Sequence, residues 1–126
     1  MAKYRIQRKR GTEGSTIYVY TAGGHNECVP TRLHDIDGAG PNDIEGGKMI
    51  MGITYFIPGG NTDFGNNPME SIYYILNGEM TLKTDDEETV LHEGDSFHCC
   101  GGVNKSVCNT GTEVTQMLVC LLPPQK

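Results

Sequence analysis

A chain of 126 residues has room for one domain with a sizeable hydrophobic core but not for two. Its formal net charge of −6 disfavours general nucleic-acid binding, and no apolar run approaches the roughly 20 residues that span a bilayer. Five cysteines without framework spacing do not suit a disulfide scaffold, so we expect free, mostly buried thiols in a reducing compartment. No apolar stretch follows the basic N-terminal residues. A secretory signal is therefore not expected, and the expected location is the cytoplasm.

Short β-rich runs recur along the chain, and no segment has the sustained apolar periodicity of a helix. The first predicted strands cover residues 16–20 and 28–33. Residues 38–47 are rich in glycine and are predicted to form a loop. A long apolar strand is then predicted at residues 48–57, with Pro58-Gly59-Gly60 ending it.

The clearest signal in the second half of the chain is Asn77-Gly78, which separates β-rich runs at 71–76 and 79–83. Because both residues tolerate positive φ, an Asn-Gly pair in this setting predicts a tight hairpin. Further strands are predicted at 89–92, 96–100, 106–109 and 115–122. So many short strands at regular spacing favour an all-β sandwich or barrel, and the length favours a small jelly roll whose interior holds one small ligand.

A basic cluster stands out near the N-terminus of this acidic chain: Lys3, Arg5, Arg8, Lys9 and Arg10. Such a cluster can contact an anionic partner. It can equally be a solvated terminal arm or an edge strand whose charges prevent edge-to-edge pairing. Both interpretations stay open from the sequence.

The turn residues between positions 58 and 111 resemble the two sequence motifs of the cupin superfamily. Pro58-Gly59 opens the first motif and Gly78 closes it, while Glu93-Gly94-Asp95, Gly102 and Asn109-Thr110-Gly111 match the second. The gaps between these landmarks fit the family pattern without insertion or deletion.

This resemblance implies a single-domain cupin-type jelly-roll β-barrel over residues 1–126, with core motifs at 58–111 and an N-terminal arm at 1–15. It also implies a homodimer that forms through sheet faces and exchanged terminal strands. The basic segment 3–10 and the acidic surface could then pair across a two-fold axis.

In the family, four side chains usually converge on one divalent metal, and the matching positions here are Gly65, Asn67, Ser71 and Lys105. None is a strong metal ligand. We therefore expect no metal, no cofactor, and no stoichiometric iron, manganese or zinc in purified protein. About one metal per chain would instead point to His98 or Glu70 as ligands, although Glu70 should face outward unless a bulge re-aims it.

Strand alternation predicts which side chains line the barrel. If Ser71 faces inward, so do Tyr73 and Ile75. If Lys105 faces inward, so do Val107 and Asn109. Along residues 96–100, either Ser96, His98 and Cys100 or Phe97 and Cys99 share the inner face. On the long strand, the face predicted to be inside carries Met49, Met51, Ile53 and Tyr55. The predicted ligand-binding residues are Asn67, Ser71, Tyr55, Met51 and Cys100.

The predicted catalytic residues are Lys105, His98 and Tyr73. Lys105 would bind or polarise a carbonyl or carboxylate, unless its loop turns it outward to water. His98 and a tyrosine would move protons, an arrangement that the resemblance to metal-free cupin epimerases implies. His98-Cys99-Cys100 also offers nitrogen and sulfur donors for zinc or copper, although neighbours along a strand point apart.

These residues support three hypotheses of function. The first is a metal-independent enzyme doing acid/base chemistry of the isomerase, lyase or decarboxylase type on a small, possibly anionic carbonyl or carboxylate compound. The second is a non-catalytic ligand-binding or sensor protein with the same pocket. The third is a metal-dependent cupin enzyme that uses unconventional ligands. All three have a small-molecule ligand as partner, and neither nucleic acid nor membrane.

Overall fold

The computed structural model describes residues 5–7, 18–19, 23–36, 40–45 and 47–124. Within these ranges the chain forms nine strands: β1 Tyr18–Val19, β2 His25–Arg32, β3 Ile50–Thr62, β4 Glu70–Asn77, β5 Glu79–Thr84, β6 Glu88–His92, β7 Ser96–Cys99, β8 Lys105–Cys108 and β9 Thr115–Leu122. None of the described residues belongs to a helix that is long and apolar enough to cross a membrane.

The predicted strand positions agree closely with these bounds, and the main exception is β3. This strand does not end at Pro58 but continues to Thr62. Gly59 adopts a φ of 87°, so the chain kinks there and then resumes pairing. Beyond the kink, Asn61 pairs with Cys108 of β8 and with Asn26 of β2.

The strands form an antiparallel sheet in the order β6-β5-β8-β3-β9-β4-β7, and β2 lies beside β3. The first half of β3 pairs with β9, from Ile50 opposite Leu121 to Phe56 opposite Thr115. Its second half reaches β8, so one long strand belongs to both walls of the barrel. This architecture confirms the predicted all-β jelly-roll fold.

The predicted hairpin at Asn77-Gly78 is wrong, although the turn itself exists. β4 pairs with β7 and β9, whereas β5 pairs with β6 and β8. Gly78 has a φ of 84°, and the next backbone amide, that of Glu79, donates to Thr115 Oγ1 at 3.1 Å. A Cβ at position 78 would lie 2.4 Å from that oxygen. The turn is therefore a packed corner between the two walls, because long-range pairing outweighs the local hairpin preference.

The hydrophobic core lies between the two walls and consists of Phe56, Ile75, Met80, Leu82, Leu91, Val107 and Met117. Asn109 closes this core at the end of β8 and is 1% exposed. Its Nδ2 donates to the carbonyls of Phe56 at 2.9 Å and Glu113 at 2.8 Å, and its Oδ1 accepts from the Gly111 amide at 2.9 Å. Asn109 thus fastens a loop to β3 through side-chain to backbone bonds.

Arg5 belongs to the described part of the basic N-terminal cluster, and it makes contacts within the chain. Its Nη1 donates to the Leu33 carbonyl at 2.8 Å and lies 3.5 Å from Asp43 Oδ2. Its guanidinium also lies 5.6 Å from the centre of the Tyr18 ring. The other four members of the cluster lie outside the described residues: Lys3, Arg8, Lys9 and Arg10.

Candidate ligand site in the barrel

Two adjoining cavities open inside the barrel. The first has a volume of about 220 Å³ and is lined mainly by β2, β3 and β9. The second has a volume of about 300 Å³ and extends to β8 and the segment after β3. Both are lined by Gly23, His25, Thr62, Asn67 and Tyr73, so they form one continuous interior site.

The alternation predicted for β4 and β8 is confirmed by burial. On β4, Ser71 and Ile75 are buried and Tyr73 is largely so, while the intervening residues are exposed. On β8 and just after it, Lys105, Val107 and Asn109 are all buried. Inward-facing residues of β4 and β8 therefore contribute Tyr73 and Lys105 to a site that has both polar and apolar lining residues.

Lys105 begins β8 and is only 7% exposed. Its backbone is held by a pair of hydrogen bonds with Gly65, of 2.9 and 3.2 Å. Its side chain lines the second cavity, and its Nζ lies 5.7 Å from the centre of the Tyr73 ring. No carboxylate among the described residues forms an ion pair with this ammonium. A buried charge is costly unless an opposite charge or hydrogen bonds compensate it. An anionic ligand in the cavity would therefore be stabilised by pairing with the Lys105 ammonium.

Tyr73 faces the same interior and packs against Phe97, with ring centres 6.1 Å apart. Burial raises the pKa of Tyr73 to about 12, Ser71 opposes part of this rise, and Cys99 adds to it. The Ser71 hydroxyl lies near enough to the phenol to lower its pKa slightly. It nevertheless makes no well-formed hydrogen bond with the described residues. Tyr73 is therefore a neutral phenol near pH 7, suited to donating a hydrogen bond or a proton to a ligand oxygen.

The inner face predicted for β3 is wrong by one residue. The buried positions are Ile50, Gly52, Thr54 and Phe56, and these line the first cavity. The predicted ligand residues Met51 and Tyr55 lie on the opposite face with Met49 and Ile53. The reason is the close approach of β2: a Cβ at Gly52 would lie 2.0 Å from the Thr31 carbonyl oxygen. Gly52, a small residue of the inner face, makes room for β2. The prediction failed because it placed the face with the large apolar side chains inside the barrel.

The structure also decides between the two faces of β7. Cys99 is buried and Phe97 is half-buried, whereas Ser96, His98 and Cys100 are exposed. His98 Nε2 lies 2.5 Å from Glu70 Oε2 on the outside of the barrel. The predicted placement of His98 and Cys100 in the pocket is therefore wrong, because β7 turns Phe97 and Cys99 toward the core instead.

Several lining residues were not among the predicted site residues, and two of them are basic. His25 lies at the start of β2 and lines both cavities, and Arg32 is buried at the end of β2 and lines the first. From the sequence, His25 is expected in a loop-like region, either as a lid residue over the barrel mouth or simply exposed. Only the pairing of β2 with β3 shows that its side chain reaches the barrel interior.

Comparison with known proteins agrees with this geometry. The model of the family described as cupin domain matches residues 52–121, more than half of the chain. The chain belongs to the cupin family. This cupin is also 29% identical over 113 residues to Beta-D-galactosidase Rv1717 of Mycobacterium tuberculosis, covering 90% of this chain and 93% of that protein.

Two solved structures show the same fold as this cupin. The polyketide cyclase RemF from Streptomyces resistomycificus superposes with a TM-score of 0.74 at 17% identity, over 95% of this chain and 81% of that one. A Cupin 2 conserved barrel domain protein from Salinispora arenicola superposes with a TM-score of 0.67 at 17% identity, over 94% and 90%. At such low identity the likeness concerns the fold alone.

The usual metal site of the family does not fit the interior of this cupin. Of the four corresponding positions, Gly65 has no side chain, and Asn67 Oδ1 already accepts the Met69 amide at 2.8 Å. Ser71 offers a neutral hydroxyl, and Lys105 brings a positive charge to the place of a ligand. The positive charge of Lys105 would repel a divalent cation. In addition, metal ligands must be anionic or carry free lone pairs, and these four positions offer no anionic group.

Proposed function

We propose that this cupin binds a small anionic carbonyl or carboxylate compound inside its barrel and catalyses metal-independent proton transfer on it. The observation that carries the proposal is the buried Lys105 ammonium, which faces the cavity without a carboxylate partner among the described residues. A ligand carboxylate or enolate oxygen would supply the missing negative charge.

In this proposal the neutral Tyr73 phenol donates to the ligand oxygen beside Lys105, and the two together stabilise negative charge that develops there. His25 takes the role of base that the sequence assigns to His98, because it lines both cavities. These roles suit isomerisation, elimination or decarboxylation, each of which passes through an enolate-like or carbanion-like state.

Exchange of carbon-bound hydrogen with solvent tests both parts of the proposal. Incubation with a panel of small 2-oxo and 3-hydroxy acids in deuterium oxide, followed by proton nuclear magnetic resonance, should show deuterium entering next to the carbonyl of one compound. The exchange should be lost in Tyr73→Phe. Binding without exchange would favour the non-catalytic sensor alternative, and absence of binding to every acid in the panel would reject the proposal.

Hydrolysis of β-D-galactosides is a second candidate, which the likeness to the Mycobacterium tuberculosis β-D-galactosidase favours. Asn67, Thr62 and Thr54 line the cavities and suit a ligand rich in hydroxyl groups. Most glycosidases, however, use two carboxyl groups about 5–9.5 Å apart. Asp63 is the one carboxylate among the described residues that line these cavities.

We therefore expect no release of nitrophenol from nitrophenyl β-D-galactoside. A catalytic release that disappears in Asp63→Asn would contradict this expectation and would put galactoside hydrolysis first. Persistence of the release in Asp63→Asn would contradict it too, and would place the hydrolysis on carboxylates that do not line these cavities.

We also propose that this cupin forms a homodimer through the outer face of the wall made by β3, β9 and β4. Cross-strand rows of apolar residues run over this outer face. In one row Cys120 lies between Ile72 and Met51, and in the next Leu118 lies between Tyr74 and Ile53. Ile72 and Tyr74 are 48% and 40% exposed. Contiguous exposed apolar surface of this kind is typical of protein interfaces.

Light scattering at high micromolar concentration should give the mass of a dimer for the native protein and of a monomer for Ile72→Lys. Val90→Lys is the matched control, because Val90 is 45% exposed on β6, away from the outer face. A monomeric native protein, or equal effects of the two substitutions, would contradict this interface.

A cytoplasmic location also stays a proposal. All five cysteines are free thiols, which suits a reducing compartment. Their predicted burial holds fully for Cys99, while Cys28, Cys108 and Cys120 are half-buried and Cys100 is exposed. Thiol-disulfide exchange can be blocked during cell lysis and the free thiols then labelled. We expect label on all five cysteines of each chain.

A further inference from the structure

We propose that Glu70, His98 and Cys100 form a zinc site on the outside of the barrel, separate from the interior ligand site. The site follows from the register of β4 and β7, in which Ser71 lies opposite Cys99 and Ile72 lies opposite His98. Continuing this register by one residue places Glu70 opposite Cys100. His98 and Cys100, two residues apart, point to the same side of the sheet as Glu70.

The donor atoms are already close together. His98 Nε2 and Glu70 Oε2 are 2.5 Å apart, and the three donors, including Cys100 Sγ, all lie within 4.8 Å of one another. Around a tetrahedral zinc with bonds of about 2.0–2.3 Å, ligand atoms lie roughly 3.3–3.8 Å apart. The imidazole and the carboxylate therefore need to separate by about 1 Å on binding. All three side chains are exposed, which leaves room for this adjustment.

The backbone that carries these ligands is held in place. Gly101, directly after Cys100, packs so closely on the chain before β4 that a Cβ there would lie 2.2 Å from the Pro68 carbonyl oxygen. The Gly102 amide then donates to the Asn67 carbonyl at 2.8 Å. The strand ends that present Glu70 and Cys100 are thus fixed relative to each other, so metal binding does not have to order the loop.

The mixture of donors indicates which metal would bind. Thiolate and imidazole favour zinc over magnesium and calcium, which prefer oxygen ligands alone. Three protein ligands leave the fourth position of zinc open to water or to another ligand. This inference is independent of the ligand binding and catalysis proposed for the barrel interior. For the outer surface, it replaces the expectation of no metal that was drawn from the sequence. For the barrel interior, that expectation is unchanged.

Metal binding can be measured on the full-length protein after treatment with a chelator. Titration calorimetry with Zn²⁺ should show one site per chain, and binding should release protons, because the thiol must ionise to coordinate the metal. Co²⁺ in place of zinc should give a thiolate-to-cobalt charge-transfer band in the near ultraviolet, together with the intense visible bands of four-coordinate cobalt. The charge-transfer band reports coordination by a thiolate, and its loss in Cys100→Ser would assign that thiolate to Cys100.

Substitution of each ligand provides the decisive comparison. Cys100→Ser should abolish the charge-transfer band. Losing a residue that only hydrogen-bonds to a metal ligand weakens metal binding by up to about 100-fold. Cys100→Ser and His98→Gln each remove a ligand itself, so each should weaken Zn²⁺ binding by more than this. Circular dichroism should show an unchanged fold, because both residues are exposed.

Two matched controls should bind Zn²⁺ like the native protein. Cys120→Ser removes a thiol of the outer face that lies outside the cluster. His92→Gln removes a histidine that has Glu79 at 3.7 Å and Asp95 at 3.9 Å but no thiol beside it. The proposal would be overturned by a cobalt spectrum without the thiolate band, by native affinity in Cys100→Ser, or by equal losses in the control variants.

Discussion

Replacing Lys105 by Met is expected to weaken binding of the best small carboxylate ligand by about 1.5–3 kcal/mol, the range for hydrogen bonds to charged groups. Methionine keeps much of the volume but removes the charge that faces the cavity. The free energy of unfolding of the ligand-free protein should stay the same or rise, because the substitution removes a buried ammonium that has only the Tyr73 ring as a charge-stabilising contact among the described residues. Calorimetry and urea denaturation measure the two effects.

Lys83→Met is the matched control for this prediction. Lys83 lies on β5, is exposed, and has its Nζ 5.5 Å from the centre of the Phe64 ring, so it shares the cation–aromatic contact but not the cavity. Its replacement should leave carboxylate affinity unchanged. Equal affinities of Lys105→Met and the native protein would refute the role of Lys105 as an anion-binding group. A large loss of stability would show instead that its contact with Tyr73 is structural.

Tyr73 should make the protein lose stability steeply in alkali. Its pKa is about 12 in the folded protein against 10 for an unperturbed tyrosine, chiefly because of burial. Below pH of about 10 both states keep the proton, so the stability contribution is complete. Between about 10 and 12 the unfolded chain ionises first, and stability falls by up to about 1.4 kcal/mol per pH unit. The whole loss is roughly 2–3 kcal/mol and is complete above the folded pKa.

Urea denaturation of the native protein and of Tyr73→Phe at a series of alkaline pH values isolates this effect. Ionisation of other groups affects both proteins, so the difference between their unfolding free energies should shift by roughly 2–3 kcal/mol in favour of Tyr73→Phe as the pH rises. Tyr74→Phe, which alters the neighbouring exposed tyrosine, should show a much smaller shift. A constant difference for Tyr73→Phe would show that the phenol ionises as readily in the folded state as in the unfolded chain.

Much of the interior site could be predicted because the motif register fixes the orientation of β4 and β8, which their apolar patterns alone do not. Once the motif register places Ser71 and Lys105 inside, the period of two residues carries Tyr73 and Val107 inside as well. The catalytic and ligand-binding roles of these residues stay predictions.

β3 and β7 could not be oriented from the sequence because both of their faces look acceptable. β3 is apolar on both sides, and the larger side chains Met51, Ile53 and Tyr55 lie outside, where an exposed apolar face remains. At Gly52 the inner face has no room for a side chain, because the backbone of the neighbouring strand β2 comes too close. Along residues 96–100 each face has one aromatic ring and one cysteine, so composition gives no preference.

The sequence by itself determined where most of the strands lie, because glycine, proline and asparagine turns interrupt the β-rich runs; the main exception is β3, which continues past Pro58 to Thr62. It also determined that the interior lacks the usual metal ligands, which is a matter of residue identity. Only the tertiary structure decided that Asn77-Gly78 is a corner between two walls, that His25 reaches the cavity, and that His98 joins Glu70 and Cys100 outside. These outcomes depend on pairing between strands distant in the chain, and a local pattern of period two does not encode which partner a strand meets or which of two apolar faces it buries.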